Sequence, residues 1–172
     1  EEGREKAVSA SLLTEDGFAS YLRLRDRMLR EEPSAFWSTP EDDSAQSMDE
    51  FRALMARPFN ELWVVERAGE SVAASGIYRQ AKTKRAHRAH VWGVYCAPEH
   101  RGQGFARAVV EACITRARGW PCVDIVTLSV SASGAAALAL YESLGFERWG
   151  TEPDVIRIGH NRYDEHHLAL RL

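Results

Sequence analysis

The sequence predicts a mixed α/β sheet, on three observations. Extended and helical segments alternate through the second half of the chain (residues 91–97, 104–118, 123–130 and 133–144), an order that requires at least one parallel βαβ crossover. Upstream, Leu62-Trp63-Val64-Val65-Glu66 and the run Ser71 to Tyr78 are joined by Ala68-Gly69-Glu70, the turn of an antiparallel hairpin. Between the strand at 91–97 and the helix at 104–118 lies Arg101-Gly102-Gln103-Gly104-Phe105-Ala106, a small-residue loop opening a helix.

Taken in order, Phe18, Tyr21, Leu22, Leu24, Arg25, Met28 and Leu29 recur at near-helical spacing, which predicts a helix over 16–30 capped by Thr14 or Asp16. The polar stretch from Glu31 to Ser47, with Pro33, Pro40 and Glu41-Asp42-Asp43, predicts a loop, followed by a short helix over 48–56. Lys82 to Arg88 is a basic connector into the strand His90 to Cys96. The helix after the glycine loop ends at Gly119 and Pro121, as a C-terminal glycine followed by proline should. The apolar, β-branched run Val123 to Val130 reads as a strand buried on both faces. The helix over 133–144 carries an Ala137, Leu140, Tyr141, Leu144 stripe and stops at Gly145. Two strands, 146–151 and 165–172, close the chain.

A chain of 172 residues predicts a single domain with a substantial core. At 45% hydrophobic and 27% charged, its composition is that of an ordinary globular protein. The net charge of −3 argues against a nucleic-acid binder held by bulk electrostatics, so Lys82 to Arg88 reads as a solvated hairpin tip. No apolar run approaches the roughly 18 residues a membrane span requires, and the charged start lacks a signal-peptide core. The odd count of cysteines, Cys96, Cys113 and Cys122, all in or beside apolar segments, reads as buried thiols of the cytoplasm. Cys96, with no base clearly in reach, is a poor nucleophile.

The glycine loop carries the most chemistry. A loop of this kind aims several backbone N–H groups at one point, and the helix dipole adds partial positive charge there, so the product is an anion site. Glycine at 102 and 104 lets a ligand approach without meeting a Cβ. The residues alone fit any phosphate or pyrophosphate.

Here the chain resembles the GNAT N-acetyltransferase superfamily. Arg101, Gly104 and Ala106 fill its Q/R-x-x-G-x-G/A signature, and Leu140-Tyr141-Glu142-Ser143-Leu144-Gly145-Phe146 matches L-Y-x-x-x-G-F in full. The resemblance is close over 89–150. It implies one domain over 1–172, with acceptor-side helices over about 14–57 and an acetyl-CoA core over about 89–150. The implied fold is a mixed, mostly antiparallel twisted sheet of about seven strands, with a parallel splayed pair at the cofactor and about four flanking helices. The implied activity is transfer of acetyl from acetyl-CoA to a primary amine of a small molecule or protein, by direct attack in a ternary complex. No metal, nucleic acid or membrane takes part, and a homodimer is possible within the family. The same fold could also serve as an inactive acyl-CoA sensor or carry a longer acyl group.

By the same resemblance the diphosphate lies on the amides of Gly102, Gln103, Gly104, Phe105, Ala106 and Arg107, the pantetheine arm lies on Val94, Tyr95 and Cys96, and Arg101 of the signature also belongs to the cofactor site. Where many members carry Asn near the start of the second helix, this chain has Gly134, with Ser131 and Ser133 beside it; Ser133 and Gly134 are expected to face the arm. Tyr141 matches the tyrosine credited with protonating the leaving thiolate. An alkylamine with a pKa of about 10.4 must lose a proton before it attacks. His90 is the expected base, on the reading that His90 and Cys96, an even number of residues apart, share one side of their strand. Glu66 and Glu99 are weaker candidates. His166 and His167, adjacent on a strand, point opposite ways, and no carboxylate–histidine spacing supports a metal site.

Overall fold

In a computed structural model that describes residues 8–172, one seven-stranded sheet carries two helices on each face. The charged start of the chain, residues 1–7, lies outside the described residues. The strands are β1 (Ser11–Leu12), β2 (Asn60–Arg67), β3 (Glu70–Arg79), β4 (Arg88–Cys96), β5 (Ile125–Ser131), β6 (Glu147–Ile158) and β7 (Asn161–Arg171), in the order β1-β2-β3-β4-β5-β7-β6. Every pairing is antiparallel except β4 with β5, the crossover that the alternating second half requires.

The helices α1 (Phe18–Glu31) and α2 (Met48–Met55) cover one face. There Tyr21, Leu24, Met28 and Leu29 of α1 pack with Phe51 of α2 on Leu62, Val64 and Tyr95 of the sheet. Ser47 and Glu50 form a capping box that fixes where α2 begins. On the other face lie α3 (Phe105–Gly119) and α4 (Ala135–Ser143). Val110, Cys113, Ile114 and Ala117 of α3, with Tyr141 of α4, bury Ile77, Val91, Val126 and Leu128. These three- and four-residue intervals put one stripe of each helix on the sheet.

Four expectations are corrected. The last two strands form one long hairpin turning at Gly159-His160, not two short strands over 146–151 and 165–172. β6 is an edge strand whose side chains largely meet water, so it needs no apolar alternation; Pro153 lies where the ladder is broken between Glu152 and Ile156. Strand β5 is not fully buried on both faces: Val126, Leu128 and Val130 are buried on one side, while on the other Ile125 and Ser131 are buried but Thr127 and Ser129 between them are half-buried. Ser133 and Gly134 precede α4 and do not lie in it. Cys122 is exposed, at φ 67° in the turn after α3, while Cys96 and Cys113 are buried. Strand β1, two residues long, is too short to leave a period. No helix among the described residues is long and apolar enough to cross a membrane.

Candidate active site

Strands β4 and β5 pair at only three positions, Arg88 with Ile125, Ala89 with Val126 and His90 with Thr127. Beyond His90 they part. A bulge in β4 accompanies the opening: β3 advances two residues, from Ala74 to Gly76, while β4 moves three, from Tyr95 to Trp92. Gly93 takes φ 61°, which a glycine does without steric cost. A cleft of about 610 Å³ opens between the parted strands, lined by Val94, Cys96, Ala106, Ser129, Ser131 and Tyr141 among others.

The bulge reverses the side-chain alternation, and this corrects the parity reading of His90 and Cys96. Trp92 and Tyr95 pack toward α1, whereas Val91, Val94 and Cys96 face α3 and α4. His90, two residues before Trp92, is on the α1 side, opposite Cys96, and does not line the cleft. Its Nδ1 lies 2.9 Å from Thr127 Oγ1, and its ring stands 5.5 Å from that of Tyr78. Burial, with smaller contributions from His167 and Arg88, pulls its pKa down to about 4, so the ring is neutral near pH 7 and a weak base.

Between Arg101 and Ala106, which line the cleft, Gly102 and Gly104 have φ 76° and 80°, and a Cβ at either would stand in open space. Side chains of the glycine loop are otherwise engaged. Arg101 donates to Cys96 O (3.0 Å) and pairs with Glu32 (2.7 Å). Arg107 reaches Ser143 Oγ (2.9 Å), tying α3 to α4, and Phe105 is buried beneath Arg67. What the loop offers a ligand is therefore backbone. Tyr95 sends its hydroxyl away from the cleft to Glu31 (2.7 Å). Burial raises the Cys96 thiol, which keeps it protonated.

Across the cleft, Ser131 and Ser133 hydroxyls lie 2.8 Å apart, and Gly134 donates its N–H to Ser131 O at 2.9 Å. A Cβ on Gly134 would sit 3.2 Å from that same oxygen, so the tight turn favours glycine there. Tyr141 lines the cleft from α4, and burial raises its phenol well above the ordinary value. It stays protonated near pH 7. Glu66 and Glu99 are not among the cleft residues; Glu99 is paired with Arg27 at 2.6 Å.

Sequence reasoning missed a polar cluster on the α1 side of the sheet. His166 and His167 do point opposite ways: His166 Nδ1 meets Thr151 Oγ1 at 2.8 Å, His167 Nδ1 meets Ser129 Oγ at 2.9 Å. Yet Glu165, two residues before His167, shares its side, and Glu152 joins them from β6. The spacing Glu165-x-His167, read at the strand period of two, was the available signal. A second cavity of about 710 Å³, lined by Phe59, Asn60, Tyr78 and Arg79, shares Trp92 with the first. The Trp92 ring lies against Gly76, where a Cβ would come within 2.2 Å of it.

The model of the Acetyltransferase (GNAT) family matches residues 26–146. A mycothiol acetyltransferase of Thermobispora bispora is 34% identical over 122 residues, 67% of this chain and 40% of that protein. The N-alpha-acetyltransferase RimI of Mycobacterium tuberculosis is 32% identical over 109 residues, 63% of this chain and 65% of that one. The chain thus spans less than two thirds of either relative. Among solved structures, an acetyltransferase of Salmonella typhimurium with acetyl-CoA superposes with a TM-score of 0.82 at 20% identity, covering 97% of this chain and 95% of that one. A ribosomal-protein-alanine N-acetyltransferase of Brucella melitensis gives 0.81 at 22% identity, covering 95% and 99%. At these identities the two share its fold.

Proposed function

The chain belongs to the GNAT acetyltransferase family, and we propose that it acts as one domain transferring acetyl from acetyl-CoA to a primary amine within a ternary complex. One observation carries this reading: the parted β4 edge, the open glycine loop and the protonated Tyr141 all border one cleft. The amides from Gly102 to Arg107, at the N-terminus of α3, receive the diphosphate. The backbone from Val94 to Cys96, which β5 leaves without a strand partner on its side, hydrogen-bonds the amides of the pantetheine arm, as a missing strand would. Ser133 and Gly134 bound the arm from the other side.

Acetyl-CoA enters as a substrate and supplies the activated acyl group. The neutral amine attacks the thioester carbonyl, and collapse expels the thiolate. Tyr141 donates its proton to that sulfur, which makes the sulfur a better leaving group. The raised Cys96 thiol argues against an acetyl-cysteine intermediate.

Release of free thiol, followed with an amine panel, tests the assignment. In Tyr141→Phe, kcat falls about 100-fold, in the range general acids contribute. Acetyl-CoA affinity, measured by calorimetry, stays within about twofold because the phenol meets the sulfur only as it leaves. An unchanged kcat removes Tyr141 from the mechanism. The relatives are named for mycothiol and for N-alpha groups, so the acceptor has to be argued from this chain's own residues.

A further inference from the structure

We infer that Ser129, Glu152, Glu165 and His167 form the acceptor site for a cationic primary amine with no carboxylate beside its nitrogen, and that Ser129, His167 and Glu152 carry away its proton. The inference rests on the acetyl-transfer reading above and names its substrate class.

Position comes first. In the β5–β7 register Ser129 pairs with His167 and Ser131 with Glu165, and both serines line the cleft. Glu152 pairs with Glu165 across the β6–β7 hairpin. One ligand atom from each of Glu152, Glu165 and His167 falls within 4.8 Å of the others. Ser129 and Ser131 line the cleft themselves, and Glu165, His167 and Glu152 stand behind them by register, on the face opposite α3.

Glu165 gives the second argument. It is 6% exposed, and Trp37 Nε1 donates to its Oε2 at 2.8 Å, but its buried Oε1 has no partner among the described residues. A buried carboxylate oxygen without a donor is costly, more so with a second carboxylate nearby. The titratable groups facing the cluster are Glu152, His167 and, from β4, His90; the nearest guanidinium on β6, Arg148, turns to His166 on the other side. What the site lacks is a compact positive donor, which an ammonium supplies. An α-amino acid would bring a carboxylate toward two others and be repelled.

The walls fit the same ligand. Trp37 and Trp149 are 72% and 67% exposed, unusual for tryptophan. Trp37 holds Glu165, and Trp149 stacks on His167 at 5.3 Å and 29°. Two aromatic surfaces beside carboxylates suit an ammonium on an apolar body.

The hydrogen bonds define a proton path. His167 Nε2 lies 3.1 Å from Glu152 Oε2 and donates to it, which leaves Nδ1 to accept from Ser129 at 2.9 Å. The ammonium gives its proton to Ser129 Oγ as the serine proton moves to Nδ1, and Glu152 stabilises the imidazolium. The freed nitrogen forms the C–N bond, the C–S bond breaks, and the sulfur takes the Tyr141 proton. A second N–H proton restores the phenol, so amide, free thiol and one released proton balance the reaction.

Phenethylamine and phenylalanine are the probes, by thiol release and by calorimetry. We expect wild type to bind and acetylate phenethylamine at least tenfold better than phenylalanine. Glu165→Gln raises the phenethylamine KM tenfold or more with kcat little changed, whereas Ser129→Ala and His167→Gln lower kcat tenfold or more with KM little changed. Unaltered acetyl-CoA affinity shows that each variant is folded, and Glu152→Gln, at a more exposed position, gives an independent fall in kcat. Equal use of phenylalanine, absence of phenethylamine binding, or an unmoved KM in Glu165→Gln overturns the proposal. Tight Zn²⁺ binding lost in His167→Gln overturns it too, in favour of a metal site. If phenethylamine binding depends on Glu165 but no thiol is released, the ammonium site stands and acetyl transfer fails.

Discussion

His90 is the residue at which β4 and β5 separate, and its protonation links fold to pH. Thr127 Oγ1 gives its proton to Ala89 O at 3.2 Å, so it accepts from His90, which fixes Nδ1–H and leaves Nε2 with its lone pair. Burial holds the folded pKa near 4, against the ordinary 6.5. The unfolded chain therefore binds this proton first as pH falls, and folding stability drops between pH 6.5 and 4, by on the order of 3 kcal/mol. Above that window the group contributes no slope. Asp43, buried but held down by the Arg25 guanidinium at 2.8 Å, and Glu99, held near 2 by Arg27, lose their contributions only below the ordinary carboxylate range. Urea melts at pH 7.0, 5.5 and 4.5 should show the wild-type midpoint falling steadily, and His90→Gln should flatten that fall. Equal slopes in the two proteins exclude His90 as the source.

At the scale of the element, the bulge in β4 decides which side chains meet the cleft. Gly93 at φ 61° is its pivot, and a Cβ there would lie 3.5 Å from Arg25 Nη1. Gly93→Ala forces an L-residue into the left-handed region at about 1–2 kcal/mol. Its unfolding free energy should fall by that amount, with a lower denaturation midpoint, and acetyl-CoA affinity should weaken with it if the bulge aligns the Val94–Cys96 edge. An unchanged midpoint shows that β4 keeps its path without glycine. The glycine loop, both of its flanking elements and Tyr141 on α4 are legible in the sequence because each leaves a local mark: glycines, an apolar stripe, a helix stop. The bulge leaves only Gly93, an isolated glycine in an otherwise apolar strand, which suggests an irregularity without fixing its register, and one extra residue inverts the parity that paired His90 with Cys96. Glu152 was hidden for a related reason. It meets Glu165 only through the register of a hairpin that itself contains two irregularities, near Arg148–Gly150 and Glu152–Ile156.

Across the whole molecule, the sheet is strong on either side of β4–β5 and weak between. β2 with β3 and β6 with β7 pair along most of their length, but only three residue pairs join β4 to β5. Much of the remaining coupling runs through the cluster under α3 and α4, where Val91 of β4 and Val126 and Leu128 of β5 pack against Val110 and Cys113. A substrate whose arm bonds both the Val94–Cys96 edge and the Ser131–Gly134 turn would supply the cross-links this gap lacks. Binding to the native state alone adds about 2.7 kcal/mol at a free concentration of 100 Kd. For a chain of 172 residues that raises Tm by roughly 5–10 °C. ADP, which has the diphosphate for the glycine loop but no arm, should bind more weakly and give a much smaller rise at the same free concentration. Hydrogen exchange should localise the difference, with acetyl-CoA protecting the amides of residues 93–96 beyond what ADP does. Equal stabilisation and equal protection by ADP would mean that the glycine loop carries the binding and that the parted strands contribute nothing to it.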